Sequence, residues 1–105
     1  MEFSDRLRDV RRRPGNYGLD GSYREFVAFV NGADAVTDWT LLDGFRAWLA
    51  QKLGQGSNLV WWELVRQICA HEQHIGRDDI EDAHLTNRAL ELIDEFLKSK
   101  STQPV

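Results

Sequence analysis

The chain has 105 residues, 42% hydrophobic and 29% charged, with 13 Lys and Arg against 17 Asp and Glu for a net charge of −4. That length supports a buried core without metal or disulfide staples, and the balance excludes a disordered chain; no apolar run approaches the roughly 20 residues that a bilayer span requires. The opening Met1-Glu2-Phe3-Ser4-Asp5 lacks the basic-then-apolar order of a signal peptide, and Cys69 is the one cysteine, so the expected setting is cytoplasmic and reducing.

Phe3, Leu7 and Val10 recur at helical spacing behind Ser4 as cap, so a first helix is expected to run to about Arg13 and stop at Pro14. Ser22-Tyr23-Arg24-Glu25 has the form of a capping box and opens a second helix striped by Tyr23, Phe26, Val27 and Val30, with Asn31-Gly32 as its stop. After a loop from Ala33 to Asp38, Leu41, Leu42, Phe45, Trp48, Leu49 and Leu53 mark a third helix closed by Gly54. Ser57-Asn58 caps a fourth carrying Trp61, Leu64, Val65, Ile68 and Cys69, ending before Gly76. Arg77-Asp78-Asp79 restarts the chain into a long fifth helix with Leu85, Ala89, Leu92, Ile93, Phe96 and Leu97. The expectation is an all-α compact bundle of about five helices with short connections, one domain over residues 1–98 and a disordered tail over 99–105.

Charge is unevenly placed along the chain. Residues 1–13 hold five Arg against Glu2, Asp5 and Asp9, a balance of +2, while residues 77–97 hold seven acids against Arg77 and Arg88, a balance of −5. A basic end and an acidic end are therefore expected. Trp39, Trp48, Trp61 and Trp62 are a heavy aromatic load. Trp48 reads as core, whereas Trp61 and Trp62 point about 100° apart on a helix. Either one wide buried face takes both, or one stays at the surface as an interface anchor, for which Trp62 is the candidate.

Two resemblances attach to the arginine-rich opening. Val10-Arg11-Arg12-Arg13-Pro14-Gly15-Asn16-Tyr17 resembles the V-R-x-R-P-G-M-Y-I-G strap of type II topoisomerase ATPase subunits. The likeness stops there: Phe26 to Val30 supplies no Glu general base or Asn metal ligand, and 105 residues cannot house that fold, so it is rejected. Leu7 to Tyr17, Phe26 to Gly32, Trp39 to Leu49 and Asp94 to Leu97 are together similar to small uncharacterised actinomycete-type helical proteins that open with L-R-x-V-R-R-R-P-G-x-Y. That resemblance implies a small acidic protein of the immunity or accessory kind, which acts by binding another protein.

Physically, Arg11, Arg12 and Arg13 complement the carbonyls at a helix C-terminus, and together with the glycine-rich loop to Gly21 they are also a candidate anion site. The loop lacks phosphate-loop spacing. His71 and His74 are three apart and can share a helix face as a weak metal candidate, with Asp78, Asp79 or His84 as a third ligand; the H-E-x-x-H spacing is not met. No cofactor motif is present, and Cys69 on an apolar face reads as core rather than nucleophile. Nucleic-acid binding through the N-terminal Arg helix is disfavoured by the acidic total. The expected function is a non-catalytic protein-binding domain, with an immunity-type inhibitor of a toxin as its specific form and Asp78, Asp79, Glu81, Asp82 and Trp62 as the contact set. The alternatives are a metal- or anion-binding enzyme or sensor using His71 and His74 or the Arg11 to Gly21 loop, and a nucleic-acid-associated protein acting through the N-terminal Arg helix.

Overall fold

The last helix organises the molecule. A computed structural model describes residues 2–56 and 58–101, and among them the fold is all-α: α1 (Phe3–Arg12), α2 (Tyr23–Val36), α3 (Phe45–Leu53), α4 (Trp61–Gln73) and α5 (Asp82–Ser101), with 3₁₀ turns at Pro14–Tyr17 and Arg77–Asp79. At 20 residues α5 is about 30 Å long, and it packs against each of the other four helices. Leu85, Ala89, Leu92, Ile93 and Phe96 recur along one stripe of it and are all buried.

Phe45 at the start of α3 is fully buried, with its ring 5.1 Å from Phe96, 5.6 Å from Trp61 and 6.0 Å from Trp48. This aromatic knot joins α3, α4 and α5 into one core; burying a side chain of that size stabilises by about 1.5–3 kcal/mol. A bidentate pair from Arg88 to Glu72, at 3.0 and 2.8 Å, adds a polar tie between α5 and α4. Arg8 of α1 reaches Asp94 of α5 and Arg11 reaches Asn87, so these two helices run antiparallel. The basic segment thus lies along the acidic helix, and the charge separation visible in the sequence does not become a basic pole and an acidic pole.

Several expected boundaries move, each for a local reason. Ser4 does not cap α1, whose N-cap is Glu2; its side chain instead bonds the Asp94 carboxylate and helps to hold that group below the usual carboxylate range. Helix α1 ends at Arg12, one residue before Arg13. Asn31-Gly32 does not stop α2, which runs on to Val36. The Asn31 amide oxygen accepts from Trp61 Nε1 at 2.9 Å, and the helix ends only where Asp34 begins to cap the following turn. Leu41 and Leu42 precede α3 rather than open it, because Gly44 adopts φ +87° and no helix contains that conformation.

Val60 is the N-cap of α4, with no side-chain cap; of the expected pair Ser57-Asn58, Ser57 lies outside the described residues. Arg77–Asp79 forms its own 3₁₀ turn and α5 begins at Asp82. Of the tail expected from Ser99, residues 99–101 belong to α5 and residues 102–105 lie outside the described residues.

Candidate interaction surfaces

At the N-terminal end of α5 the structure brings together the arginine-rich joint and the acidic run. The joint is built around a buried carboxylate. Tyr17 Oη donates to Asp9 Oδ2 at 2.5 Å, and Arg13 donates from Nε and Nη2 to Asp9 Oδ1 at 2.9 and 2.6 Å. The Tyr17 hydroxyl first, and the Arg13 guanidinium second, hold the Asp9 carboxyl below its ordinary range. Arg6 closes the network by donating to Tyr17 Oη at 3.1 Å. Gly18, at φ +72°, ends the 3₁₀ turn, and Ser22 then caps α2 by accepting from the Glu25 backbone N–H at 3.2 Å. The capping box is displaced, since Glu25 Oε1 accepts from the Asp20 N–H rather than from Ser22.

The three candidate anion-binding arginines therefore differ. Arg13 is committed to Asp9, Arg12 stands 3.6 Å from the same carboxylate, and Arg11 donates to the neutral Asn87 amide at 2.6 Å. With Arg6 on Tyr17 and Arg8 on Asp5 and Asp94, every arginine of α1 and the joint has a hydrogen-bond or ion-pair partner inside the molecule, the one of Arg12 being the long contact to Asp9. That arrangement counts against a free phosphate-binding stripe.

The acidic contact set divides in the same way. Asp82 Oδ2 accepts from the Tyr23 backbone N–H at 3.2 Å and so helps to start α2, and Asp78 pairs with Arg77 at 2.7 Å. Asp79 and Glu81 are exposed. Trp62 is 36% exposed while Trp61 is buried, and Trp62 borders the same shallow depression as Asp82, Arg66 and Tyr23. Two of the five residues expected to meet a partner are thus brought together on one face.

His71 and His74 do not share a helix face. His71 is in the last turn of α4, whereas His74 has left the helix at φ +56°, and among the described residues no group of three or more His, Cys, Asp or Glu side chains is placed to hold a metal ion. Cys69 is fully buried, and burial pushes its thiol up to about 11, which keeps it protonated and unreactive at neutral pH.

The opposite end of α5 carries a surface that the sequence reasoning missed. Between α2 and α3 the chain turns through Asp38 and Trp39, both at positive φ (56° and 63°), and Trp39 is 62% exposed. The left-handed region is uncommon for any residue other than glycine and is a real departure for a bulky one. The turn is nonetheless firmly held: the Trp39 N–H donates to the Asp34 carbonyl at 2.9 Å, the Leu42 N–H donates to buried Asp34 Oδ1 at 3.0 Å, and Thr37 Oγ1 donates to the Asp34 carbonyl at 2.8 Å. Lys100 Nζ reaches the Thr40 carbonyl at 3.4 Å and fastens the turn to the end of α5. Three residues before Trp39, Val36 is 86% exposed. The one legible signal was the aromatic surplus; nothing in the spacing separated Trp39 from the helix that follows.

Compared with known proteins, the chain matches no family model, no curated protein and no solved structure. Among the described residues no helix is long and apolar enough to cross a membrane.

Proposed function

We propose that this is a cytoplasmic, non-catalytic protein-binding domain whose anchor is the Trp39 turn. The observation that carries the reading is the exposed Trp39 on two consecutive left-handed non-glycine residues, held by Asp34, with exposed Val36 nearby. Strained backbone persists where the surroundings over-determine it, and tryptophan is the residue type most enriched among interface hot spots. The non-catalytic part draws support from three shifted groups that have structural partners, Asp9 in Tyr17 and Arg13, Asp94 in Ser4 and Arg88 in Glu72, and from Cys69, whose shift comes from burial. An immunity-type inhibitor of a toxin is the specific form suggested by the family resemblance. For that form the face shared by Trp62 and Asp82 is the second candidate surface.

The test is site-specific photo-crosslinking in the source cells. A photoreactive residue at position 39 is expected to trap a discrete partner, and one at exposed Asn16, away from both candidate surfaces, is not. Equal trapping at both positions, or none at 39, would refute the assignment. A product containing two copies of this chain would make the surface a self-association site instead.

A further inference from the structure

We infer that the cavity between the arginine-rich joint and the first turns of α5 binds a small carboxylic acid with a compact branched apolar tail. The cavity is about 110 Å³ and is walled by Val10, Pro14, Leu19, Phe26, Ala83 and Thr86, with Arg11 and Asn87 also lining it. An apolar cavity of ~150 Å³ takes benzene whole, so this one admits a tail of about four carbon atoms. Val10, Phe26 and Thr86 are buried whereas Arg11 and Asn87 are exposed, which puts the apolar wall inside and the polar groups at the solvent side.

Two further observations select a carboxylate as the head group. Arg11, in the cavity wall, bonds a neutral amide, whereas Arg8 and Arg13 bond carboxylates, so among the described residues its charge has no carboxylate partner. The Arg11 bond also occupies Asn87 Oδ1, leaving the amide N–H₂ as a second donor beside the guanidinium. Thr86 Oγ1 is buried and bonds to no protein group. A threonine inside a helix ordinarily returns its hydroxyl to the carbonyl of the preceding turn. Turning about its Cα–Cβ bond, this hydroxyl becomes a third donor in the cavity wall. Guanidinium, amide and hydroxyl donors around an apolar chamber fit an anion with two acceptor oxygens on a short hydrocarbon, which is either a free acid or the terminal residue of a peptide.

The experiment is titration of ¹⁵N-labelled protein, followed by amide shifts, with isovalerate, 3-methylbutan-1-ol, acetate and N-acetyl-leucine. Isovalerate is expected to give saturable shifts at Leu19, Ala83 and Asn87, with the alcohol about tenfold weaker for want of the charge-assisted bonds and acetate non-saturating for want of the tail. A stronger response to N-acetyl-leucine than to isovalerate assigns the site to a chain terminus, and a weaker one assigns it to a free acid. Ala83→Leu fills the chamber and is expected to abolish the response. Should that variant misfold, Arg11→Gln at an exposed position tests the same point by equalising acid and alcohol. Thr86→Val is expected to narrow the acid-to-alcohol ratio, which a purely structural hydroxyl would leave unchanged. Shifts that fail to saturate with isovalerate, equal binding of acid and alcohol by the unmodified protein, or an unchanged response in Arg11→Gln would overturn the proposal.

Discussion

The two ends of α5 use their polar residues in opposite ways. At the N-terminal end several of the conspicuous charges are engaged within the molecule: buried Asp9 gathers Tyr17 and Arg13, Asp82 starts α2, and Arg77 bonds Asp78 at the surface. At the C-terminal end a few inconspicuous polar groups, Asp34 and Thr37, hold a strained turn that displays Trp39 to solvent. The difference teaches that a charged motif in a small helical domain is first a candidate for holding the fold, because a buried carboxylate without partners is costly. A surface residue that the fold strains itself to expose is the better pointer to binding.

The comparison can be broken at its strongest joint first. Asp34→Ala removes the acceptor of the buried Leu42 N–H and is expected to destabilise by about 1–3 kcal/mol in urea unfolding, with the Trp39 fluorescence environment altered. Near the other end, Thr86→Val removes a buried hydroxyl that has no partner, and an increase in stability of about 1 kcal/mol is expected from the same measurement. Asp38→Gly relieves a left-handed non-glycine residue at φ 56° and is expected to raise stability by up to about 1 kcal/mol; a loss would show that the turn is not strained.

The smallest effect is one of pH. Because Tyr17 and Arg13 lower the Asp9 carboxyl in the folded protein, its contribution is fully present above the unfolded carboxylate value and is lost as pH falls below about 4 toward the depressed native value. Chemical denaturation across that window should show a steeper decline in the unmodified protein than in Asp9→Asn. Equal slopes would place Asp9 outside the network that holds the joint.

The helices were legible because their apolar spacing is strong, as in Leu85, Ala89, Leu92, Ile93 and Phe96 of α5, and the Ser22 cap was legible because its chemistry is local. The end of α2 was not, since Asn31 and Gly32 read as a stop only while Trp61, thirty residues away, is unknown as the partner of the Asn31 amide. The start of α3 was obscured in the same way: Leu41 and Leu42 keep helical spacing, yet the Leu42 N–H is given to Asp34 and Gly44 adopts a left-handed φ. Of the site, the sequence singled out Trp62 and Asp82, which do share a depression, and paired His71 with His74, which the left-handed φ of His74 separates. Trp39 was hidden because exposure is a property of the packed molecule and leaves no periodic trace.

The most direct measurement is the affinity of the partner trapped through position 39 for the unmodified protein, Trp39→Ser and Trp62→Ser, each checked for an unchanged unfolding midpoint. A hot spot contributes about 2 kcal/mol or more, so Trp39→Ser is predicted to bind at least about thirtyfold more weakly while Trp62→Ser stays near the unmodified value. Undiminished binding by Trp39→Ser, with the loss falling on Trp62→Ser, would contradict the account and move the interface to the acidic end of α5.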